Sequence, residues 1–371
     1  MVCLVNDGIE MDNTSFIQTN NFSEKIKTVQ WILSILVIFI HTNNIKTYSL
    51  SFSNGGFEAF VVACETLLNV LGGIAVPMFF LISGFLFYNN YDYSRVGSKY
   101  SSRLKSVLIP FICWNVIYFI YFFALTHIPL FAQHMNMKTV ELTLSNILSA
   151  VIFYKYCNPF WFMFQLIIYI SASPLIYTLL KNKTVGVMLF AMVLNLAFLG
   201  IHSDYFPTGL YFFLYILGGY AVIHFKEKII HPYSYKQNVL FAVVAAVTLV
   251  VTYYITLLSI EFDWDSIFSV VLRTIEIVSV WFAIDLIRLP RLKPWITISF
   301  FIYAAHFLLL ETIEKILLIM LGKGAQAAWA DYIIAPAIVL IIIYFAAYLL
   351  KRFFPPVWNV LNGWRLQNVG T

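Results

Sequence analysis

Charge is what this chain has least of. Only 11% of its 371 residues are Asp, Glu, Lys or Arg, against 61% hydrophobic, and a soluble domain carries roughly twice that share of charge. A water-soluble fold cannot conceal so much apolar surface, so the solvent is lipid. The net charge of +5 is no nucleic-acid footprint. Cysteine is scarce too: Cys3, Cys64, Cys113 and Cys157 show no CxxC or metal-like spacing and read as small core side chains rather than metal ligands. No heptad, internal repeat, low-complexity segment or appended soluble domain is visible. The N-terminus lacks the basic stretch of a signal peptide, and residues 1–24 read as a disordered cytoplasmic tail.

What is present is apolar length. Mean hydropathy is +0.83, and 35 Phe with 23 Tyr suit the aromatic belts of a membrane protein. A spanning helix needs about 20 apolar residues. Candidate spans fall roughly at 26–43, 67–88, 104–126, 159–180, 184–201, 207–225, 238–259, 267–287, 295–320 and 331–351. The expectation is an all-α integral membrane protein, a polytopic bundle of about ten transmembrane helices over residues 25–354, with a short C-terminal tail at 355–371. The apolar stretch from Leu142 to Tyr156 is too short to span and reads as an interfacial helix. With both termini cytoplasmic, seventeen of the 23 Lys and Arg fall in inner loops, while the outer loops hold Lys46, Lys138, Lys155 and Lys323. Such a bias follows the preference for cytoplasmic cations.

Helix arithmetic gives depth. At 1.5 Å per residue, His41 lies roughly 21 Å beyond Lys27, and His306 roughly 20 Å beyond Lys293 on a helix of the same direction. Arg273 enters about 12 Å from the other side. In a core of about 30 Å these three share one layer, with Glu276 a turn below and Glu311 slightly above. Buried ionisable groups in lipid face a bundle interior or a watery cavity. Both a structural ion-pair network and a functional pocket fit Arg273 and the glutamates. An inner layer holds Gln30, Ser83 and Gly84, where small residues admit another backbone or a ligand. Arg103 and Lys105 there are either topology anchors or a grip on an anionic ligand.

These same residues carry a family resemblance. The chain resembles the membrane-bound acyltransferase-3 family, the O-acyltransferases of surface polysaccharides, over about residues 26–351. The helix ending in His41 is similar to the family's catalytic-histidine helix, and Phe79-Phe-Leu-Ile-Ser-Gly-Phe85 to its FFxxSGF signature. Arg103-Leu-Lys-Ser-Val-Leu-Ile-Pro110 with Trp114, Phe160-Trp-Phe-Met163, Tyr215-Ile-Leu-Gly-Gly-Tyr220 and Ser299-Phe-Phe-Ile-Tyr-Ala-Ala-His306 follow in the family's order. One departure stands out: Gln30 occupies the position, eleven residues before the histidine, where the family usually has an Arg that helps hold the acyl donor. Lys27 or Arg103 are the residues available to replace it.

The resemblance implies transfer of an acyl group, acetyl by default, from cytoplasmic acyl-CoA to a hydroxyl of an envelope glycan, by a multi-pass protein of the cell membrane with no bound cofactor or metal. It implies His41 as general base, with His306 or Tyr303 orienting it or stabilising the oxyanion. Lys27, Gln30, Ser83, Gly84, Phe85, Arg103 and Lys105 would form the donor side. Trp161, Arg273, Glu276 and Glu311 would line the acceptor pocket, and the outer loop from His127 to Asn158 would shape it. No Ser-His-Asp order or nucleophilic Cys signature appears. Partners are then the bilayer, acyl-CoA and a glycan; self-association stays open. Two competitors remain: a transporter or flippase using the same polar layers, and a weakened family member with an assembly role, suggested by Gln30. No inverted repeat supports the transporter.

Overall fold

The computed structural model describes residues 13–42, 44–128, 139–199, 209–231, 233–260, 266–290 and 293–365, and among them every regular element is helical. In chain order these are α1 (Asn13–His41), α2 (Asn44–Thr47), α3 (Gly56–Gly73) and α4 (Ala75–Tyr88). Then come α5 (Val96–Arg103), a π-helical segment (Leu104–Leu108), α6 (Ile109–His127) and α7 (Leu144–Phe153). α8 (Trp161–Ser171), α9 (Ser173–Leu180), α10 (Lys183–Phe198), α11 (Leu210–Ile230) and α12 (Tyr235–Leu257) follow. α13 (Ile267–Ala283), α14 (Ser299–Leu321), α15 (Ala325–Phe353) and α16 (Pro355–Leu361) complete the chain.

Among the described residues seven stretches are long and apolar enough to cross a membrane, or eight if α8 and α9 form one broken span. The expected ten are not reached, for local reasons that a hydropathy window cannot register. α10 has sixteen residues, short of the roughly 20 a span needs. α11 is interrupted at Phe225, whose φ/ψ of −135° and 19° is not helical. α8 and α9 diverge by 67° at Ala172, just before Pro174, which lacks an N–H and whose ring clashes with the preceding turn. Other spans are longer than expected: α3 and α4 make one run from Gly56 to Tyr88, and the next extends from Tyr93 to His127. A ten-residue α7 forms within the apolar stretch read as interfacial.

The ends also differ from the sequence reading. α1 begins at Asn13, so residues 13–24 are helical rather than a disordered tail; residues 1–12 lie outside the described residues. Residues 355–361 form α16, docked under the bundle. Its Trp358 is buried with its ring 5.0 Å from that of Phe301, and Trp114 Nε1 donates to Leu361 O at 3.0 Å. Cys64, Cys113 and Cys157 are free thiols; Cys3 lies outside the described residues.

The core is aromatic and tightly built. Phe80 packs among Trp161, Phe162, Tyr169 and Tyr211, with ring centroids 4.6–6.1 Å away. α4 and α11 approach most closely. A Cβ on Gly84 would meet the Tyr215 carbonyl oxygen, and one on Gly218 would meet the Leu81 carbonyl oxygen. Helix association in lipid rests on such packing, so these glycines fix how the two helices sit. Gly84→Ala is expected to cost about 1–3 kcal/mol through overpacking, read as a lower Tm of the purified protein. Gly97→Ala, with nothing within 4 Å of the new methyl, should not lower it.

Candidate active site

His41 is the last residue of α1, and polar bonds fix the chain just beyond it. Glu65 Oε1 accepts from the backbone N–H groups of Asn44 and Ile45 at 3.0 and 3.1 Å. Asn44 Nδ2 donates to Ala328 O at 2.8 Å, and Tyr48 OH donates to Asp331 Oδ2 at 3.3 Å. Glu65, Asn44 and Asp331 are all buried. The sequence reading missed this clamp because it began the second span at residue 67, leaving Glu65 outside. An acidic residue within an apolar run was the available signal.

α14 brings His306 to His41. Their ring centroids lie 5.2 Å apart at 40°, and Phe307 meets the His41 ring edge-on at 5.5 Å. His306 is fully buried, and its Nδ1 lies 2.6 Å from Tyr303 O. A carbonyl can only accept, so Nδ1 carries the proton. The neutral ring then presents an unprotonated Nε2, which is buried with no hydrogen-bond partner. Tyr303 OH donates to Pro159 O at 2.6 Å, and its ring stacks on Phe160 at 5.8 Å. That proton is directed to the 3-10 turn before α8, and the contact of Tyr303 with His306 is through its backbone carbonyl.

Tyr118 was not foreseen. Its hydroxyl donates to Ala304 O at 3.0 Å and accepts from Leu308 N at 2.9 Å. In an uninterrupted α-helix those two groups would bond each other. The hydroxyl thus enters the α14 ladder on either side of His306 and holds that turn against α6. A tyrosine in an apolar run gives no sequence signal for this.

The polar pair on α13 lies at the same level. Arg273 Nη1 donates to Glu276 Oε2 at 2.8 Å, and Glu276 is fully buried. A Cβ on Gly73 would sit 3.6 Å from Arg273 Nη2, while one on Gly72 would meet the Ile40 side chain. Ile40 adjoins His41, so the ion pair and the imidazoles flank the same break between α3 and α4. Glu311 lies one turn before Lys315 on α14. Trp161 packs against Tyr211 and Phe80 at 4.9 and 6.1 Å.

At the opposite end the expected donor residues are less uniform. Gly84 faces the α11 backbone, where a Cβ would meet the Tyr215 carbonyl oxygen, so its closest neighbour is a helix. Ser83, Gln30 and Lys27 are partly buried, and Phe85 packs on Phe22 at 5.5 Å. Arg103 lies 5.6 Å over the Phe87 ring, and Lys105 is exposed in the π-helical segment. Lys99 Nζ donates to Phe87 O and Asn89 O, both at 2.8 Å, closing the carbonyl end of α4. Lys25 pairs with Asp285 at 2.7 Å. Among the described residues no group of three or more His, Cys, Asp or Glu could hold a metal ion. Residues 129–138 of the outer loop, and with them part of the expected acceptor surface, lie outside the described residues.

Fold and site together define a multi-pass membrane protein that seats an imidazole pair within its helices. A family model described as an acyltransferase domain matches residues 24–352. The chain therefore belongs to the acyltransferase-3 family and is a membrane acyltransferase. Comparisons with curated proteins and with solved structures each gave no match.

Proposed function

We propose that the protein moves an acyl group, acetyl in the simplest case, from cytoplasmic acyl-CoA to a hydroxyl of an envelope or surface glycan, with His41 as general base. The observation that carries this reading is the His41–His306 contact, centroids 5.2 Å apart. His306 donates through Nδ1 to Tyr303 O, which leaves Nε2 to accept an N–H from His41. That bond would fix the His41 tautomer, with its other nitrogen a bare lone pair, as a general base requires.

The acceptor hydroxyl oxygen attacks the thioester carbonyl while His41 takes its proton. The tetrahedral intermediate collapses, the C–S bond breaks, and the imidazolium returns the proton to the departing thiolate. An imidazole suits both directions because the same ring nitrogen that accepts a proton can return it. Arg273 and Glu276, an ion pair beside the same break between α3 and α4, would contact acceptor hydroxyls. Lys27, Gln30 and Arg103, toward the basic end, would contact the donor.

The purified chain in lipid nanodiscs should release CoA thiol from acetyl-CoA when an envelope glycan fraction is added, with acetylated glycan appearing by mass spectrometry. No thiol release with any acyl-CoA, alongside glycan flux in vesicles lacking acyl-CoA, would replace this reading with transport.

A further inference from the structure

The chain beyond α16 does more than end. Pro110 in α6 has no N–H to offer the turn before it, and the Ser106 carbonyl in that turn takes an outside donor. Arg365 Nη2 supplies one at 3.1 Å, while Nη1 donates to Asn362 O at 3.0 Å. The guanidinium carbon lies over the Phe300 ring, 3.7 Å from its centroid. Phe300 is six residues before His306 on α14, roughly 9 Å along the axis. Gly363, at φ +67°, makes the turn possible; a Cβ there would meet both Arg365 Nη1 and Ser106 O. The segment is therefore seated by Trp114, by Trp358 and by the Ser106 carbonyl.

Capping one carbonyl accounts for one N–H, and a neutral side chain could provide it. It does not account for bonding a second guanidinium to Ser106 O, three residues along the chain from Arg103 at the end of α5. Among the described residues neither Arg103 nor Arg365 pairs with a carboxylate, unlike Lys25 with Asp285 and Arg273 with Glu276. Burial draws the Arg365 pKa down to about 9, and the Arg103 charge adds to it. Two partly desolvated cations at one end of the bundle, neither paired with a carboxylate, are costly until an anion joins them. A guanidinium has five N–H donors, so Arg365 keeps some beyond the two it uses, in the fork geometry that suits phosphate. Lys99 and Arg103 extend the positive rim on one helix face.

We infer that Arg365 and Arg103 together form an anion site that grips the phosphates of the acyl donor's nucleotide, so that the C-terminal segment is part of the donor pocket. This rests on the acyl-CoA reading above. It adds a residue thirteen positions beyond the family match, which ends at 352.

The test uses the full-length protein in nanodiscs with two donors, acetyl-CoA and S-acetylpantetheine, which lacks every phosphate. Arg365→Gln should raise KM for acetyl-CoA about 10–100-fold, the worth of one or two charge-assisted hydrogen bonds. It should leave kcat and the KM for S-acetylpantetheine nearly unchanged. Arg365→Lys should recover part of the loss, and it serves as the folded variant if the Gln form is unstable. Arg352→Gln, at an exposed position of the same end, should behave as wild type. An unchanged KM for acetyl-CoA, or equal losses with both donors accompanied by a lower Tm, would reduce Arg365 to a tether and overturn the inference while leaving the acyltransfer reading intact. A wild-type protein that uses no acyl-CoA would sink that reading and this site with it.

Discussion

Replacing His41 with Ala or Gln is expected to lower the rate of acyl transfer about 10²–10⁴-fold, the usual contribution of a positioned general base, with membrane insertion and Tm unchanged. The separation of the two effects follows from position. His41 ends its helix, and the chain after it is held by Glu65 and Asn44 rather than by the imidazole. His306→Ala should act differently. That ring is fully buried and contacts His41, so its loss should misplace the base rather than remove it. A fall of about a hundredfold or less fits such misplacement, together with a lower Tm from the cavity. His306→Asn, which can still accept a hydrogen bond, should recover more activity than His306→Ala if orientation is its role. Equal rates for wild type and His41→Gln, measured as CoA thiol release, would remove His41 from the chemistry.

The meeting of these two rings was legible in the sequence because depth along a membrane helix is a count of residues, and both counts start from a basic foot. The identity of neighbours across helices was not. Ser-Gly at 83–84 reads equally as a ligand cradle or a helix contact, and only the approach of Tyr215 and Leu81 carbonyls shows the helix contact. The Tyr303 bond was not legible either, because nothing local shows that its hydroxyl reaches Pro159, 144 positions away. The seven or eight spans among the described residues differ from the expected ten where the backbone, not the composition, breaks the helix, at Phe225 and at Ala172. Pro174 was a readable warning there. Pro110 was another: a proline inside a membrane helix withholds an N–H from the turn before it, and a carbonyl there takes its donor from elsewhere. Following the Ser106 carbonyl would have led to Arg365, which composition alone assigns to a tail.

Glu276 decides between the two readings of the polar pair on α13. Glu276→Ala removes the carboxylate that Arg273 holds at 2.8 Å and should destabilise the protein by about 3–5 kcal/mol, as breaking a buried ion pair does. A purely structural pair can be exchanged whole, since apolar residues of similar volume often restore or exceed the original stability. The double variant Arg273→Met with Glu276→Met should therefore regain the wild-type Tm. Its catalysis is the informative part. If the pair contacts acceptor hydroxyls beside the imidazoles, the refolded double variant keeps its KM for acetyl-CoA but loses transfer to glycan, because an apolar wall leaves the hydroxyls unsatisfied. Full glycan transfer by that variant would return Arg273 and Glu276 to the scaffold and confine the acceptor site to the loops beyond His41.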